Sequence, residues 1–264
     1  MGHLLVFSTC SFKFVRRSCF RLKRLLGGRC FHLLRSIIRP PIEPVSRSFG
    51  FDRGKPIDRV YIESFLQAHA ADIRGTVLEI GDSTYTRLFG GNSVTCSEVL
   101  HAVPGNPEAS IQGDLATGAG IPAEMFDCII LTQTLPFIFD VHQAVLHSMK
   151  ALKSGGVVLA TMPGICQISR YDMDRWGDYW RFTDLSARQL FEDIFGVGNI
   201  DVSTYGNVLT ACAFLQGYAA HEFRAAHLNH KDPDYQVLIG VRARRPVTGG
   251  SASICVGQTE SPAC

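Results

Sequence analysis

From Pro56 onward the chain alternates strand-like and helix-like segments, and this alternation limits its fold more than any other feature. The strand-like runs lie at 76–80, 93–99, 126–132, 157–161, 199–204 and 235–241. Segments with apolar residues at helical spacing lie at 57–71, 141–152, 184–195 and near 209–220. Gly155 and Gly156 stand where the second of these helices is expected to stop. Strands joined by crossover helices predict an α/β fold with a doubly wound, mostly parallel sheet and flanking helices.

Charge divides the chain into a basic arm and an acidic body. Nine of the 26 Lys and Arg residues, and none of the 24 acidic residues, fall within residues 1–42. The rest therefore has 17 basic against 24 acidic residues, and Pro40 and Pro41 end the arm because consecutive prolines cannot continue a helix. This pattern predicts a basic N-terminal extension over 1–48, a folded domain over 49–245 and a disordered tail over 246–264.

The basic arm leaves three interpretations open. Residues 1–39 mix Leu, Phe and Ile with Arg and Lys, which is typical of a disordered extension, of an amphipathic helix lying on an anionic membrane, or of an organelle transit peptide. No run of 18 apolar residues exists, so no transmembrane helix is expected. Nucleic-acid binding is not expected, because the arm has no recognised recognition module and the body is acidic.

The nine cysteines indicate a reducing compartment. They form no Cys-x-x-Cys pair and no Cys/His cluster with zinc-ligand spacing, so we expect free thiols and no metal site. The sequence thus predicts a cytoplasmic protein in which residues 1–39 are the candidate for peripheral membrane contact.

Candidate ligand-binding residues follow the strands, because doubly wound sheets bind ligands beyond the carboxyl ends of their strands. Gly81 permits close backbone approach to a ligand. Glu98 lies 17 residues further on, close to the spacing of roughly 20 expected for a ribose-binding acid. The full set of candidates is Glu79, Gly81, Asp82, Ser83, Thr84, Glu98, Asp114, Leu115 and Gln133.

The ordered motifs VLEIG, GDL, FDCIILTQTL and LKSGGVVLATMPG resemble those of class I S-adenosylmethionine-dependent methyltransferases, most closely the type-11 group. The resemblance covers roughly residues 75–241 and implies a Rossmann-like domain that binds S-adenosylmethionine. It implies that Glu98 accepts hydrogen bonds from the ribose hydroxyls and that Asp114 and the N–H of Leu115 meet the adenine. Glu79 would orient the loop or meet the ammonium group of the cofactor.

The loop after the first strand departs from the family pattern. Of the usual Gly-x-Gly-x-Gly only Gly81 remains, and Ser83 and Tyr85 replace the other glycines. Ser83 and Thr84 have hydroxyls that could donate to the methionine carboxylate of the cofactor. Two functions therefore stay open: methyl transfer to a small-molecule or glycan-type acceptor, and a non-catalytic binding or scaffold protein with the same fold.

The segment YDMDRWGDYWRFT at 171–183 is rich in aromatic and charged residues and is the predicted acceptor wall. Aromatic faces stack on sugars and other rings, while Asp and Arg orient hydroxyl groups. The alternative is a structural lid whose Trp residues fill core space. The predicted acceptor-binding residues are Trp176, Asp178, Tyr179 and Arg181. The candidate bases are Asp172, Asp174, Asp178 and His101.

Overall fold

The computed structural model describes residues 42–247. Its helices are α1 (Ile57–Ala68), α2 (Val141–Ala151), α3 (Arg170–Met173), α4 (Asp184–Phe195), α5 (Val208–Gln216) and α6 (Ala225–Asn229). Its strands are β1 (Gly75–Ile80), β2 (Val94–His101), β3 (Ile111–Gln112), β4 (Phe126–Thr132), β5 (Leu152–Pro163), β6 (Ile200–Tyr205) and β7 (Leu238–Arg244). The interpretations of residues 1–41 and of 248–264 fall on parts of the chain outside these described residues.

The seven strands form one sheet in the order β3-β2-β1-β4-β5-β7-β6. The first five strands in this order pair in parallel. β7 enters between β5 and β6 and is antiparallel to both. The predicted Rossmann-like, doubly wound and mostly parallel sheet is confirmed. The carboxyl ends of β1 to β5 therefore meet along one edge.

Two apolar layers cover the sheet. The first contains Phe191 and Phe195 of α4 and Val145 of α2, and the second contains Phe65 of α1 and Phe214 of α5. Each helix supplies a buried stripe at i, i+3 or i+4 spacing, so burial of that stripe fixes which face of the helix meets the sheet. The two layers cover the two faces of the sheet and leave the carboxyl ends of the parallel strands, where such sheets bind ligands, at one edge.

The sequence interpretation of Gly155 and Gly156 as the stop of α2 is wrong. The helix ends at Ala151, and β5 begins at Leu152. The glycine pair lies in a register shift of the β4–β5 pairing, where Gly155 takes a φ of +77°. A bulge needs such a conformation and glycine adopts it without steric cost, so a helix-stop signal and a bulge signal look alike in sequence.

The N-terminal end of the domain packs slightly earlier than residue 49. The N–H groups of Val45 and Ser46 both donate to the carbonyl of Gln216, and Ser46 is buried. The division at 48 and 49 stays a prediction, as does the division at 245 and 246. Between residues 42 and 247, no helix combines the length and apolar character needed to cross a bilayer.

Candidate functional site

Gly81 lies at the carboxyl end of β1 and leaves open space above the strand. Its N–H donates to Leu100 at 3.0 Å, and its φ is +87°. A β-carbon at this position would have no atom within 4 Å. The backbone can therefore be approached closely here, as predicted for a ligand-binding turn.

Glu79 holds the loop that follows β1. It is 2% exposed, and its carboxylate accepts hydrogen bonds from the N–H of Tyr85 (3.0 Å), the N–H of Thr86 (2.7 Å) and the Thr86 hydroxyl (2.8 Å). Burial raises the pKa of Glu79, and the hydrogen bonds from Thr86 and Tyr85 partly oppose that rise. Of the two roles considered for Glu79, these contacts correspond to orientation of the loop.

The residues that replace the family's glycines have contacts of their own. The Ser83 hydroxyl accepts a hydrogen bond from Arg87. The Tyr85 ring stacks on Phe89 at 6.2 Å, and its hydroxyl accepts from Arg59 at 3.3 Å. Asp82 and Thr84 are exposed, with the Thr84 N–H donating to the Asp82 carboxylate at 2.8 Å. Tyr85 is thus buried in the apolar layer that contains α1, and the space above Gly81 stays open.

The sequence predicts a second strand that stops at residue 99, with Glu98 near its end, but the observed strand is longer. β2 continues to His101, and Glu98 pairs in register with Leu78, two positions before the last pair of the β1–β2 ladder. Its carboxylate accepts hydrogen bonds from the Ser110 hydroxyl and the Cys96 thiol, and it lines a shallow pocket beside Ser110. The apolar pair after Glu98 extends the strand, so the acid lies below the edge where Gly81 lies.

The end of β2 is occupied by His101 instead. Its Nδ1 lies 2.8 Å from the carbonyl oxygen of Val103, and its ring packs edge-on against Trp176 with the centroids 5.8 Å apart. In the loop beyond, the Asn106 amide donates to the carbonyl of Gly81 at 2.6 Å. Sequence reasoning missed Asn106, which no motif singles out.

Asp114 and Leu115 form the turn after β3. The carboxylate of Asp114 accepts from the Ala116 N–H at 2.8 Å and from the Thr117 hydroxyl at 3.1 Å, so it shapes its own turn. The N–H of Gly113 donates to His101, which brings this turn beside the end of β2. Leu115 is buried. The turn therefore lies on the same edge as Gly81.

Gln133 follows β4 in a strained conformation. Its φ is +52°, which is uncommon for a residue with a β-carbon, and its N–H donates to Thr161 of β5 at 2.9 Å. Such conformations cost on the order of 1–3 kcal/mol and cluster at functional sites. Gln133 lines a cavity of about 580 Å³ at the carboxyl ends of β4 and β5, where Thr132 and Pro163 also contribute.

A partly buried ion pair forms part of the wall of this cavity. Arg181 bonds both carboxylate oxygens of Asp178, at 2.5 and 3.0 Å, and the Ser169 N–H donates to Asp178 at 2.9 Å. Burial raises the pKa of Asp178, but the hydrogen bonds from Arg181 and Ser169 outweigh it and hold the pKa below its ordinary value. Asp178 is therefore ionised, and its carboxylate already accepts hydrogen bonds from Arg181 and Ser169.

The other aromatic residues of the segment 171–183 separate in space. Tyr179 and Trp180 are exposed and pack on Phe139 with centroids 5.4 and 5.8 Å apart, whereas Trp176 contacts His101. Of the candidate bases, Asp172 lines the cavity and accepts from the Ser169 hydroxyl, and Asp174 is exposed. The structure thus brings Gln133, Asp178 and Arg181 around one cavity and places Tyr179 outside its wall, beside Phe139.

Residues from the start of α1 also line the cavity, and sequence reasoning did not select them. They are Asp58 and Arg59, joined by Cys166 from the segment after β5. Burial raises the pKa of the Cys166 thiol to about 11, so the thiol is neutral at physiological pH. The helical spacing of α1 predicts the helix but carries no signal that its first turn reaches the ends of β4 and β5.

The order of the strands and the antiparallel insertion of β7 decide the fold. This mostly parallel sheet agrees with the Rossmann-like fold that the resemblance to class I methyltransferases implies. No family model and no curated protein matches the chain.

Three solved structures illustrate the likeness. A SAM-dependent methyltransferase from Archaeoglobus fulgidus is 9% identical, with 70% of this chain and 94% of that one covered and a TM-score of 0.48. The N-methyltransferase NodS from Bradyrhizobium japonicum WM9, in complex with S-adenosyl-L-homocysteine, is 14% identical over 74% and 90% of the two chains, with a TM-score of 0.45. The [4+2]-cyclase SpnF is 16% identical over 72% and 82%, with a TM-score of 0.46.

Proposed function

We propose that this protein is a class I methyltransferase that uses S-adenosylmethionine to methylate a small-molecule or glycan-type acceptor. The observation that carries the proposal is the strand edge itself. Open space above Gly81 at the end of β1 lies on the same edge as the cavity at the ends of β4 and β5. The strained Gln133 in that cavity is further support, because strain of this kind marks functional positions.

The residues at this edge fit an adenosyl cofactor in part. Gly81 offers the close backbone approach, and the turn at Asp114 and Leu115 is the proposed adenine contact. Glu98 is not proposed as the ribose ligand, because it lies below the edge. We also propose that Asp82, Ser83 and Thr84, in the loop after β1, contact the cofactor. When bound, the cofactor supplies a methyl group on a positively charged sulfur, and alignment by the protein supplies much of the rate.

The cavity suits a small acceptor. Its volume of about 580 Å³ lies within the range of roughly 300–1,000 Å³ typical of small-molecule sites. Asp178 and Arg181 provide polar groups in its wall. Tyr179 and Trp180, which lie between them in sequence, pack on Phe139 to form an exposed aromatic cluster. A sugar or another ring could stack on that cluster, which supports the glycan-type acceptor.

Isothermal titration calorimetry of the full chain with S-adenosylmethionine tests this proposal. We expect saturable binding, and we expect S-adenosylhomocysteine to compete for the same site. Radiolabelled S-adenosylmethionine incubated with a panel of small hydroxyl, amine and sugar compounds should then label a product. A folded sample that produces no heat at millimolar cofactor would refute the proposal.

A second candidate function is a non-catalytic binding or scaffold protein. Two observations favour it: no acid lies at the end of β2, and the Asn106 amide already occupies the carbonyl of Gly81. This candidate predicts a stable fold without affinity for S-adenosylmethionine. Detection of any methylated product that depends on the chain would exclude it.

Cytoplasmic location is a further proposal, supported by the cysteine pattern. Peripheral membrane contact through residues 1–39 is another, supported by the charge of the arm. Sedimentation with liposomes that contain phosphatidylserine tests the membrane contact. Deletion of residues 1–41 should abolish sedimentation, and an unchanged bound fraction would refute a role for the arm.

A further inference from the structure

One cavity residue has no assigned role and an unusual environment. Asp58 is the second residue of α1 and lines the same cavity as Gln133 and the Asp178–Arg181 pair. Its Oδ1 atom has almost no accessible surface and no hydrogen-bond partner. Among the side chains described between residues 42 and 247, it is the only carboxylate with a buried, unpartnered oxygen.

The charge of Arg59 and the backbone N–H groups of Asp58 and Arg59 favour the ionised carboxylate, but none of them is a partner of Oδ1. Arg59 directs one guanidinium nitrogen to the Tyr85 hydroxyl at 3.3 Å, and its guanidinium carbon lies 5.7 Å from the centre of the Phe51 ring. By contrast, Asp178 in the same cavity receives hydrogen bonds from Arg181 and Ser169. A buried carboxylate is normally paired, so an orphan oxygen in a cavity wall marks a position suited to a hydrogen-bond donor from a ligand.

The other acidic and nucleophilic groups of the cavity are less suited to accept a proton. Asp178 is held ionised by Arg181, and Asp172 accepts from the Ser169 hydroxyl. The Cys166 thiol is neutral. Burial raises the pKa of Asp58 and outweighs the lowering effects of the Arg59 charge and of the backbone N–H groups of Arg59 and Asp58. A raised pKa brings a carboxylate closer to the operating pH, where a general base is most effective.

We propose that Asp58 is the catalytic residue that accepts the proton of the methyl acceptor, and that the acceptor therefore presents a hydroxyl or amine group to this cavity. This inference rests on the proposed methyl transfer. The bond from the acceptor oxygen or nitrogen to the methyl carbon forms as the carbon–sulfur bond breaks. The electron pair of the carbon–sulfur bond stays on sulfur, and the proton of the acceptor group passes to the Asp58 carboxylate.

The substitution Asp58→Asn tests the proposal with Glu63→Gln as its matched control. Glu63 lies on the same helix, and its carboxylate is bonded to Lys55 on the surface. Both variants should bind S-adenosylmethionine within twofold of the wild type by calorimetry. With radiolabelled S-adenosylmethionine and panels of hydroxyl, amine, thiol and carboxylate compounds, the wild type should label a hydroxyl or amine compound. Asp58→Asn should lower kcat for that compound by about 10²–10⁴-fold, with the KM for S-adenosylmethionine unchanged.

The pH profile separates a base from a merely structural residue. The wild-type kcat should rise with pH through one ionisation that Asp58→Asn lacks and Glu63→Gln keeps. An unchanged profile in Asp58→Asn, or labelling confined to thiols or carboxylates, overturns the proposal.

A stability series gives a readout that needs no acceptor. Because the pKa of Asp58 is raised in the folded state, the folded protein loses stability relative to Asp58→Asn as pH rises above the unfolded value near 4. Asp58→Asn should therefore exceed the wild type in Tm at pH 8 by about 2–4 °C, with the difference disappearing near pH 4. A lower Tm for Asp58→Asn at pH 8 overturns the proposal even if no acceptor is labelled. If instead the wild type binds no S-adenosylmethionine while this Tm difference appears, the proposed methyl transfer fails and Asp58 remains an unpartnered carboxylate.

Discussion

Replacement of Gly81 by alanine separates ligand contact from fold stability, because the chain contains a matched glycine elsewhere. Gly81 and Gly198 have φ values of +87° and +88°, and a β-carbon at either would have no atom within 4 Å. Gly81 directly follows β1 at the proposed cofactor edge. Gly198 lies two residues before Ile200, the first residue of β6, near the amino ends of the parallel strands and away from the proposed cofactor edge.

The two substitutions should cost the fold the same amount. Left-handed backbone costs an L-residue about 1–2 kcal/mol, and neither site adds a steric clash. For a domain of this size each kcal/mol lowers Tm by roughly 2–4 °C, so both variants should melt about 2–8 °C below the wild type. Chemical denaturation should give free energies of unfolding that agree within about 0.5 kcal/mol of each other.

Of the two substitutions, only Gly81→Ala should weaken the binding of the cofactor. Its new methyl group would occupy the space above β1, so the Kd for S-adenosylmethionine should rise at least tenfold, or about 1.4 kcal/mol. Gly198→Ala should bind as the wild type does. Equal and unchanged affinities in both variants would refute the idea that the cofactor passes over Gly81, while equal losses would indicate a global effect of the fold.

Substitutions at three further positions probe the packing and hydrogen bonding around the site. Glu79→Ala leaves two N–H groups and one hydroxyl without their acceptor, so it should lower the free energy of unfolding by about 3–5 kcal/mol in urea denaturation. Glu79→Gln should lower it by about 1–2 kcal/mol. Equal losses in the two variants would contradict the role of Glu79 in holding the loop. Gly240→Ala places a β-carbon 2.5 Å from the Phe65 ring and should cost about 1–3 kcal/mol, with partial relief in the double variant with Phe65→Leu. Asp178→Asn should lower the free energy of unfolding by about 1–3 kcal/mol at pH 7, because the pKa of Asp178 is held low in the folded protein. The difference from the wild type should shrink as pH falls below about 4. A loss that does not depend on pH would contradict the ion pair.

The sequence alone determined the order and type of the main elements. The apolar run of β4 and the amphipathic helix α4 were predicted with their observed bounds, Phe126–Thr132 and Asp184–Phe195. These patterns depend on neighbours within about four positions along the chain, so a local reading captures them. The loop after β1 was likewise placed at the carboxyl end of its strand. The two-residue strand β3 before Asp114 was not predicted, because so short a strand carries no periodic signal.

The tertiary structure decided which side chains share the site. Register between β1 and β2 placed Glu98 below the edge, since a shift of two positions along a strand moves a side chain by about 7 Å. Packing of α1 brought Asp58 into one cavity with Gln133 and Arg181, which lie far from it in sequence. Such contacts depend on pairing and packing between distant segments, and the local spacing of residues carries no information about them.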